Sequence, residues 1–335
     1  MNKLLDSNAL MAPQKKTYGE LVRKYYVVIV FAIIMVIDVI VVATGAGGAS
    51  AIGGNMLAIL DTAAFIGLIA CGQMLAILTG GIDLSVSSIM AVGFVFTKMG
   101  TVDWGLPVGV AILIAIGMCM LCGFINGLMI AKTRIPPFMV TLGTMLFFLS
   151  FAQTLLGAGS LNFELEQNAI YGFLNISDGD FLQGNLPMVV WLIVAGIMWF
   201  VLQKTRFGQN IYAVGGKERA AKLSGINPQR IKIMVYTLGG VFCALCALLL
   251  GIKLKQLNPN SGERYLLQSI AAVIVGGTNI MGGEGMPIGT ILGAIIMAAI
   301  FSVLNLLGVD VYMQDMTKGL VLLFFVFLMS RLSKR

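Results

Sequence analysis

The chain has 335 residues, of which 58% are hydrophobic and 11% charged, with mean hydropathy +0.94 and formal net charge +7. Soluble domains carry about 25% charged residues and β-barrels show ~10-residue alternating segments; repeated apolar runs near the ~20 residues that cross a bilayer exclude both. Histidine is absent, which removes the commonest general base and metal ligand. The positive charge falls in particular loops, so anchoring at the cytoplasmic face of a lipid bilayer accounts for it and nucleic acid is not needed.

Residues 1–25 are polar and net basic and are expected in the cytoplasm. The first apolar run, Tyr26–Thr44, is too long for a signal-peptide core and no small-residue cleavage site follows it, so it reads as the first span. From there to residue 335 the chain reads as one transmembrane domain. The fold class is an all-α polytopic membrane protein with about ten spans, at 26–44, 56–79, 84–98, 106–131, 137–157, 187–203, 233–251, 267–280, 286–306 and 316–330. The third and eighth are short enough to be broken or re-entrant.

Charge parity supports an even count. With the N-terminus inside, Lys132 and Arg134 fall inside. The loop 158–186, with four acids and no Lys or Arg, falls outside. The basic stretch near residue 215 and the C-terminal Arg331, Lys334 and Arg335 fall inside. Lys253, Lys255 and Arg264 are the exception, in an outside loop. Eight spans satisfy the same parity if the third and eighth segments do not cross.

Several motifs stand out in chain order. In Thr79-Gly80-Gly81-Ile82-Asp83-Leu84-Ser85-Val86, Gly81 allows a sharp turn and Asp83 with Ser85 suits a cap for the next helix. The same residues could form a gate hinge. Cys119/Cys122 and Cys243/Cys246 have C-x-x-C spacing, but both pairs sit in apolar helices, where thiols act as small buried hydrophobes. Pro136 and Pro137, after Lys132 and Arg134, end one helix and start another.

The stretch 204–232 holds seven Lys/Arg and one acid, Glu218. Gly215 and Gly216 break the preceding structure. Lys217–Ser224 has good helix propensity and Gly225 suits its C-terminal cap. The result is a short helix across the cytoplasmic face, with Glu218, Ala220, Ala221 and Ser224 offered to a partner's groove or to lipid headgroups. The run 268–285 is glycine-rich but lacks the G-K-[ST] ending of a phosphate loop. It fits close packing and a bend near a cytoplasmic exit.

An internal echo links LTGG at 78–81 with MGG at 281–283, a pattern that suggests the repeats on which transporters are often built. The polar residues expected inside the bundle are Gln73, Asn126, Thr141, Thr144, Asn279 and Asn305. They could line a pathway or simply bond between helices, a bond worth about 0.6 kcal/mol on average.

Five ordered blocks carry a resemblance: TGGIDLSV at 79–86, NGLMIAKTRIPPFMVTLGTM at 126–145, TRFGQNIYAVGGKERAAKLSGIN at 205–227, SIAAVIVGGTNIMGGEGMPIGTILGA at 269–294 and LNLLGVDVYMQDMTKGLVLL at 304–323. Together they resemble the transmembrane permease of ribose-type monosaccharide ABC importers. Ser87 and Lys217 depart from the family pattern, which usually has Gly and Asn there. The resemblance implies the ABC importer permease fold in the inner membrane, and a second permease copy as a homodimer. It implies a sugar-type ABC ATPase on the cytoplasmic side and an extracytoplasmic sugar-binding protein outside. Loop 204–232 would hold the ATPase-coupling helix, with Gly215, Gly216, Glu218, Ala220, Ala221, Ser224 and Gly225 as its residues. Gly81, Asp83, Ser85, Asn126, Thr141, Thr144, Asn279 and Asn305 are the gate and pathway candidates. This chain would be a transport subunit rather than an enzyme and would bind no cofactor, ATP and Mg belonging to the partner ATPase. Two other readings are a permease for nucleosides or a signalling sugar derivative, and an ion-coupled secondary transporter. The latter would need a buried mid-span carboxylate; Asp38 and Asp61 lie in spans but outside the five blocks.

Overall fold

The computed structural model describes residues 18–45, 48–157, 163–164, 181–254 and 256–333. The acidic loop expected outside therefore lies almost wholly outside the described residues, as do Lys255 and most of the N-terminal segment. Five helices fill the first half: α1 (Tyr18–Thr44), α2 (Ile52–Leu78), α3 (Val86–Lys98), α4 (Val108–Lys132) and α5 (Pro137–Leu156). The second half holds α6 (Phe181–Lys204), the short α7 (Arg206–Gly216) and α8 (Glu218–Leu223), then α9 (Pro228–Leu254), α10 (Glu263–Val275), α11 (Pro287–Leu306) and α12 (Val311–Ser333). A two-residue antiparallel pairing joins β1 (Phe163–Glu164) to β2 (Gln256–Leu257).

Among the described residues, eight helices are long and apolar enough to cross a membrane: α1, α2, α4, α5, α6, α9, α11 and α12. The chain is a multi-pass membrane protein. The expected third and eighth spans are the two that fall short. Each is an α-helix of 13 residues, about 20 Å at 1.5 Å per residue, against a hydrocarbon core of ~30 Å; a π-helical turn, Met99–Asp103, then lengthens α3 by five residues. The reason is local. The chain from Thr79 to Ser85 is irregular, with Gly80 at φ +80°, so α3 starts late. A 3-10 turn at Pro259–Gly262 precedes α10, and Gly277 at φ +90° follows it.

The two short helices meet start to start. A Cβ on Gly262 would lie 3.1 Å from the Ser87 carbonyl oxygen. The first turn of α10 packs at the middle of α2, where the Tyr265 and Phe65 ring centroids are 6.0 Å apart. Helix lengths run 27, 27, 13, 25 and 20 residues in the first half. Setting α7 and α8 aside, they run 24, 27, 13, 20 and 23 in the second. This order pairs α3 with α10, whereas the echo read in the sequence paired the start of α3 with the start of α11.

The core is a continuous apolar cluster centred on α2, α9 and α10. In lipid, helices associate through close packing rather than through hydrophobic expulsion, and small residues let backbones approach. Gly123 of α4 lies against the Tyr236 backbone of α9, and Gly240 of α9 lies against the Cys119 backbone of α4; a Cβ at either would fall 2.2 Å from a carbonyl oxygen. All five cysteines are buried free thiols. Among the described residues no cluster of His, Cys, Asp and Glu could hold a metal ion.

Candidate functional site

Three groups of residues follow from this framework. The first is a buried polar cluster around the irregular segment before α3. Backbone that leaves helical form at membrane depth must find partners inside the protein. Gln73 of α2 supplies two: its Nε2 donates to the Asp83 carbonyl and its Oε1 accepts from the Asp83 N–H at 3.3 Å. Thr141 of α5 supplies two more, its Oγ1 donating to the Ile82 carbonyl and accepting from the Leu84 N–H, each at 3.1 Å. Asp83 Oδ1 accepts from the Ser85 N–H at 2.9 Å and the Ser85 hydroxyl at 2.6 Å. Asn126 of α4 donates to Ser85 Oγ at 2.7 Å. Gly81 is held between Pro137 and the Tyr236 hydroxyl, with no room for a side chain.

Three of the expected interior residues, Gln73, Asn126 and Thr141, thus converge on Asp83 and Ser85, which the sequence offered as a cap or a gate hinge. Thr144 stands beside them and bonds only within its own helix, to the Val140 and Thr141 carbonyls. The capping residue of α3 is Ser85, and Asp83 braces it from two residues before.

The second group is a junction at the basic end of the bundle. Here α7, the end of α2 and the segment 276–286 between α10 and α11 meet, with α8 following α7 after Lys217. Gly283 N–H donates to the Leu78 carbonyl at 3.0 Å. A Cβ on Gly215 would lie 1.7 Å from that same oxygen and 2.7 Å from the Gly283 nitrogen. Tyr212 of α7 donates to the Gly285 carbonyl at 2.9 Å. Burial raises the Tyr212 phenol above its ordinary pKa. Asn279 shapes the segment, its Oδ1 accepting from Met281 N–H at 3.0 Å.

The short helix expected at Lys217–Ser224 is present as α8, but its neighbours differ from expectation. Gly215 and Gly216 do not break the preceding structure; α7 continues through both, and the break falls at the extended Lys217. The C-terminal cap at Gly225 is present, with φ +82°. Ile226 N–H bonds the Ala221 carbonyl and Gly225 N–H bonds the Lys222 carbonyl, the two bonds of a Schellman motif. Ala221 is buried while Ala220 and Ser224 are exposed, so Ala221 supports the helix from within rather than facing a partner. Glu218 is tied to Lys232 of its own chain at 2.8 Å. Sequence reasoning missed Leu223 and Met281, which are 90% and 80% exposed at this end. A leucine flanked by Lys222 and Ser224 in a basic loop was the available signal for the first.

The third group lines a cavity of about 950 Å³ at the opposite end, among α2, α10, α11, α12 and the turn before α10. Asn305 is the one pathway candidate that lines it, its Oδ1 accepting from Gln314 Nε2 at 3.2 Å. Asp38 is 1% exposed and accepts from Asn55 Nδ2 at 2.7 Å, and Asn55 Oδ1 in turn accepts from Ser302 Oγ at 2.9 Å. Asp61 pairs with Lys253 at 2.6 Å, which gives one of the unexpected outer cations a partner.

A family model described as branched-chain amino acid transport system / permease component matches residues 55–326. The ribose import permease protein of Bacillus subtilis is 39% identical over 274 residues, 82% of this chain and 84% of that protein. The fructose import permease protein of Rhizobium meliloti is 33% identical over 295 residues, 87% and 82% of the two chains. The galactose/methyl galactoside import permease protein of Escherichia coli K12 is 34% identical over 301 residues, 82% and 86% of the two. No solved structure matches.

Proposed function

Since the chain belongs to the permease-component family, and within it to the ribose-type sugar ABC permeases, we propose that it is the membrane subunit of an ATP-driven importer of a ribose-like monosaccharide. In this reading the basic end faces the cytoplasm and the cavity faces outside. A sugar-binding protein delivers cargo to the cavity side. Two copies of the chain form a homodimer around the path. A separate sugar-type ATPase, holding ATP and Mg, docks on α8.

The observation that carries the reading is the exposed α8 locked to the bundle behind it. Leu223 projects from α8 at 90% exposure, as a side chain awaiting a protein groove would. Behind it, Gly215 of α7 sits on the Leu78 carbonyl, and Gly283, packed against Gly215 and Gly216, bonds the same carbonyl. When ATP closes the ATPase dimer, α8 is drawn inward. Packed backbones transmit such a displacement rather than absorb it. The end of α2 and segment 276–286 move together, and α2 leads directly into the Asp83 turn and α3. The chain itself performs no chemistry; its part is to change shape.

The test is Leu223→Asp in the full transporter. Placing a charge at the centre of a desolvated contact should weaken ATPase binding roughly 30-fold or more. ATP-driven uptake should vanish while the permease stays in the membrane, and Leu223→Met should retain both. Wild-type uptake by Leu223→Asp with the ATPase still bound would reject docking at α8.

A further inference from the structure

A second apolar side chain projects at the basic end, on a different part of the chain from α8. Met281 lies in the segment between α10 and α11 and is 80% exposed. Backbone fixes its position. Gly282 and Gly283 follow it at φ +89° and +76°, a conformation open to glycine at little cost. Gly282 N–H donates to the Asn279 carbonyl at 2.9 Å, and Asn279 N–H donates to the Glu284 carbonyl at 2.8 Å. The Asn279 side chain accepts from Met281 N–H. Met281 is therefore the tip of a closed turn.

The turn is tied to the chain that enters α8. A Cβ on Gly283 would lie 2.6 Å from the Gly216 Cα, and a Cβ on Gly80 would lie 3.6 Å from the Met281 carbonyl oxygen. Gly216 ends α7 two residues before Glu218 begins α8. The seat of α8 is set in turn by buried Ala221 and by the Glu218–Lys232 pair. Leu223 and Met281 are thus two apolar projections on one backbone platform.

The surroundings narrow the partner. Lys217, Arg219, Lys222 and Arg230 are exposed around the platform. Against them stand Glu284 and Glu218, the latter paired with Lys232. A protein surface with apolar pockets and an acidic rim is complementary to this pattern. An anionic bilayer matches the charge as well. A fluid headgroup layer, however, receives a side chain at any spacing and gains nothing from a fixed turn. A folded partner does gain, because a contact ordered before binding has less conformational freedom to lose.

We infer that the ATPase subunit docks on two points, Leu223 of α8 and Met281 of the 276–286 turn, through a surface with two apolar pockets and an acidic rim. The inference rests on the importer reading above and adds a second contact to it. Its consequence is mechanical. The turn runs back into α10 at Gly276 and on into α11 at Pro287. Closure of the ATPase therefore acts on the short helix α10 directly, as well as through α7 and the end of α2.

The experiment compares Leu223→Cys and Met281→Cys in the full-length permease, held in nanodiscs of phosphatidylcholine. All five native cysteines are buried, so a maleimide reports the added thiol, with wild type as background. The ATPase subunit of the same transporter should slow labelling at both positions about tenfold or more, as burial in a docked contact would. Protection of Leu223→Cys alone would overturn the second contact and leave docking at α8 standing. Protection of neither would overturn both. Adding phosphatidylglycerol without the ATPase should change neither rate; slower labelling of Met281→Cys there would assign the turn to lipid headgroups and overturn the inference.

Affinity separates a true contact from mere shielding by an ATPase seated on α8. Met281→Asp should weaken ATPase binding about tenfold, and Met281→Leu should leave it unchanged. Equal affinity of Met281→Asp and wild type would overturn the second contact, whatever the labelling shows.

Discussion

At the basic end of the bundle three stretches of backbone touch with no space for a side chain between them; the opposite end opens into a cavity lined by amides. The two ends are built from different materials. The tight end uses glycines and main-chain hydrogen bonds, so none of its three parts can shift alone. The open end uses side chains, which can reorient around a ligand while the helices stay put. A bundle of this kind passes a push at the tight end as a whole-body motion, while the open end leaves its side chains room to adjust.

The comparison breaks most violently at Gly215. A valine there would put its Cβ 1.7 Å from the Leu78 oxygen and 2.7 Å from the Gly283 nitrogen, both backbone atoms that cannot swing away. Overpacking usually destabilises by 1–3 kcal/mol and sometimes more, and with backbone on both sides we expect about 3 kcal/mol or above. The neighbouring Gly216 is exposed and a Cβ on it would meet nothing within 4 Å. Thermal unfolding in detergent should therefore separate Gly215→Val, strongly destabilised, from Gly216→Ala, unchanged. Equal melting temperatures would mean that the junction is loose.

Between the two ends, Gln73→Leu should cost about 2–3 kcal/mol. It leaves the Asp83 N–H and carbonyl buried without partners, and each such group is worth about 1–3 kcal/mol when stranded. Denaturant or heat titration in detergent measures it. A loss under about 0.5 kcal/mol would mean that water replaces the amide, and that the segment is wetter than its burial suggests.

These residues also show what the sequence discloses and where it stops. That Gln73, Asp83, Asn126 and Thr141 face inward was legible, because polar groups in lipid are expensive and turn to the interior. That four of their bonds brace irregular backbone was not. It depends on how deep the helix break before α3 lies, and depth is set by packing against α4, α5 and α9. The short length of two spans was visible as a count of apolar residues. Their meeting start to start was hidden, since it joins Ser87 to Gly262 across most of the chain. The C-terminal cap of α8 was readable from Gly225 because positive φ has a residue signature. The inward face of Ala221 was not, for a six-residue helix is too short to show a period.

The smallest effect expected lies at the far end of α3, outside both regions. Lys98 Nζ donates to both carboxylate oxygens of Asp103, at 2.7 and 2.8 Å, across a π-helical turn that extends α3 from Met99 to Asp103. The geometry is good, but the side chains are 23% and 39% exposed. Exposed pairs of this type contribute about 0.2–1 kcal/mol and fade with salt. The turn has a second support that salt does not touch: the Thr101 hydroxyl donates to the Thr97 carbonyl at 2.8 Å. Lys98→Met should therefore lower stability by a few tenths of a kcal/mol at low salt and by nothing measurable at high salt. A loss above about 2 kcal/mol that persists in high salt would contradict this. The pair would then behave as a buried one, and the turn after α3 would be as rigid as the glycine junction.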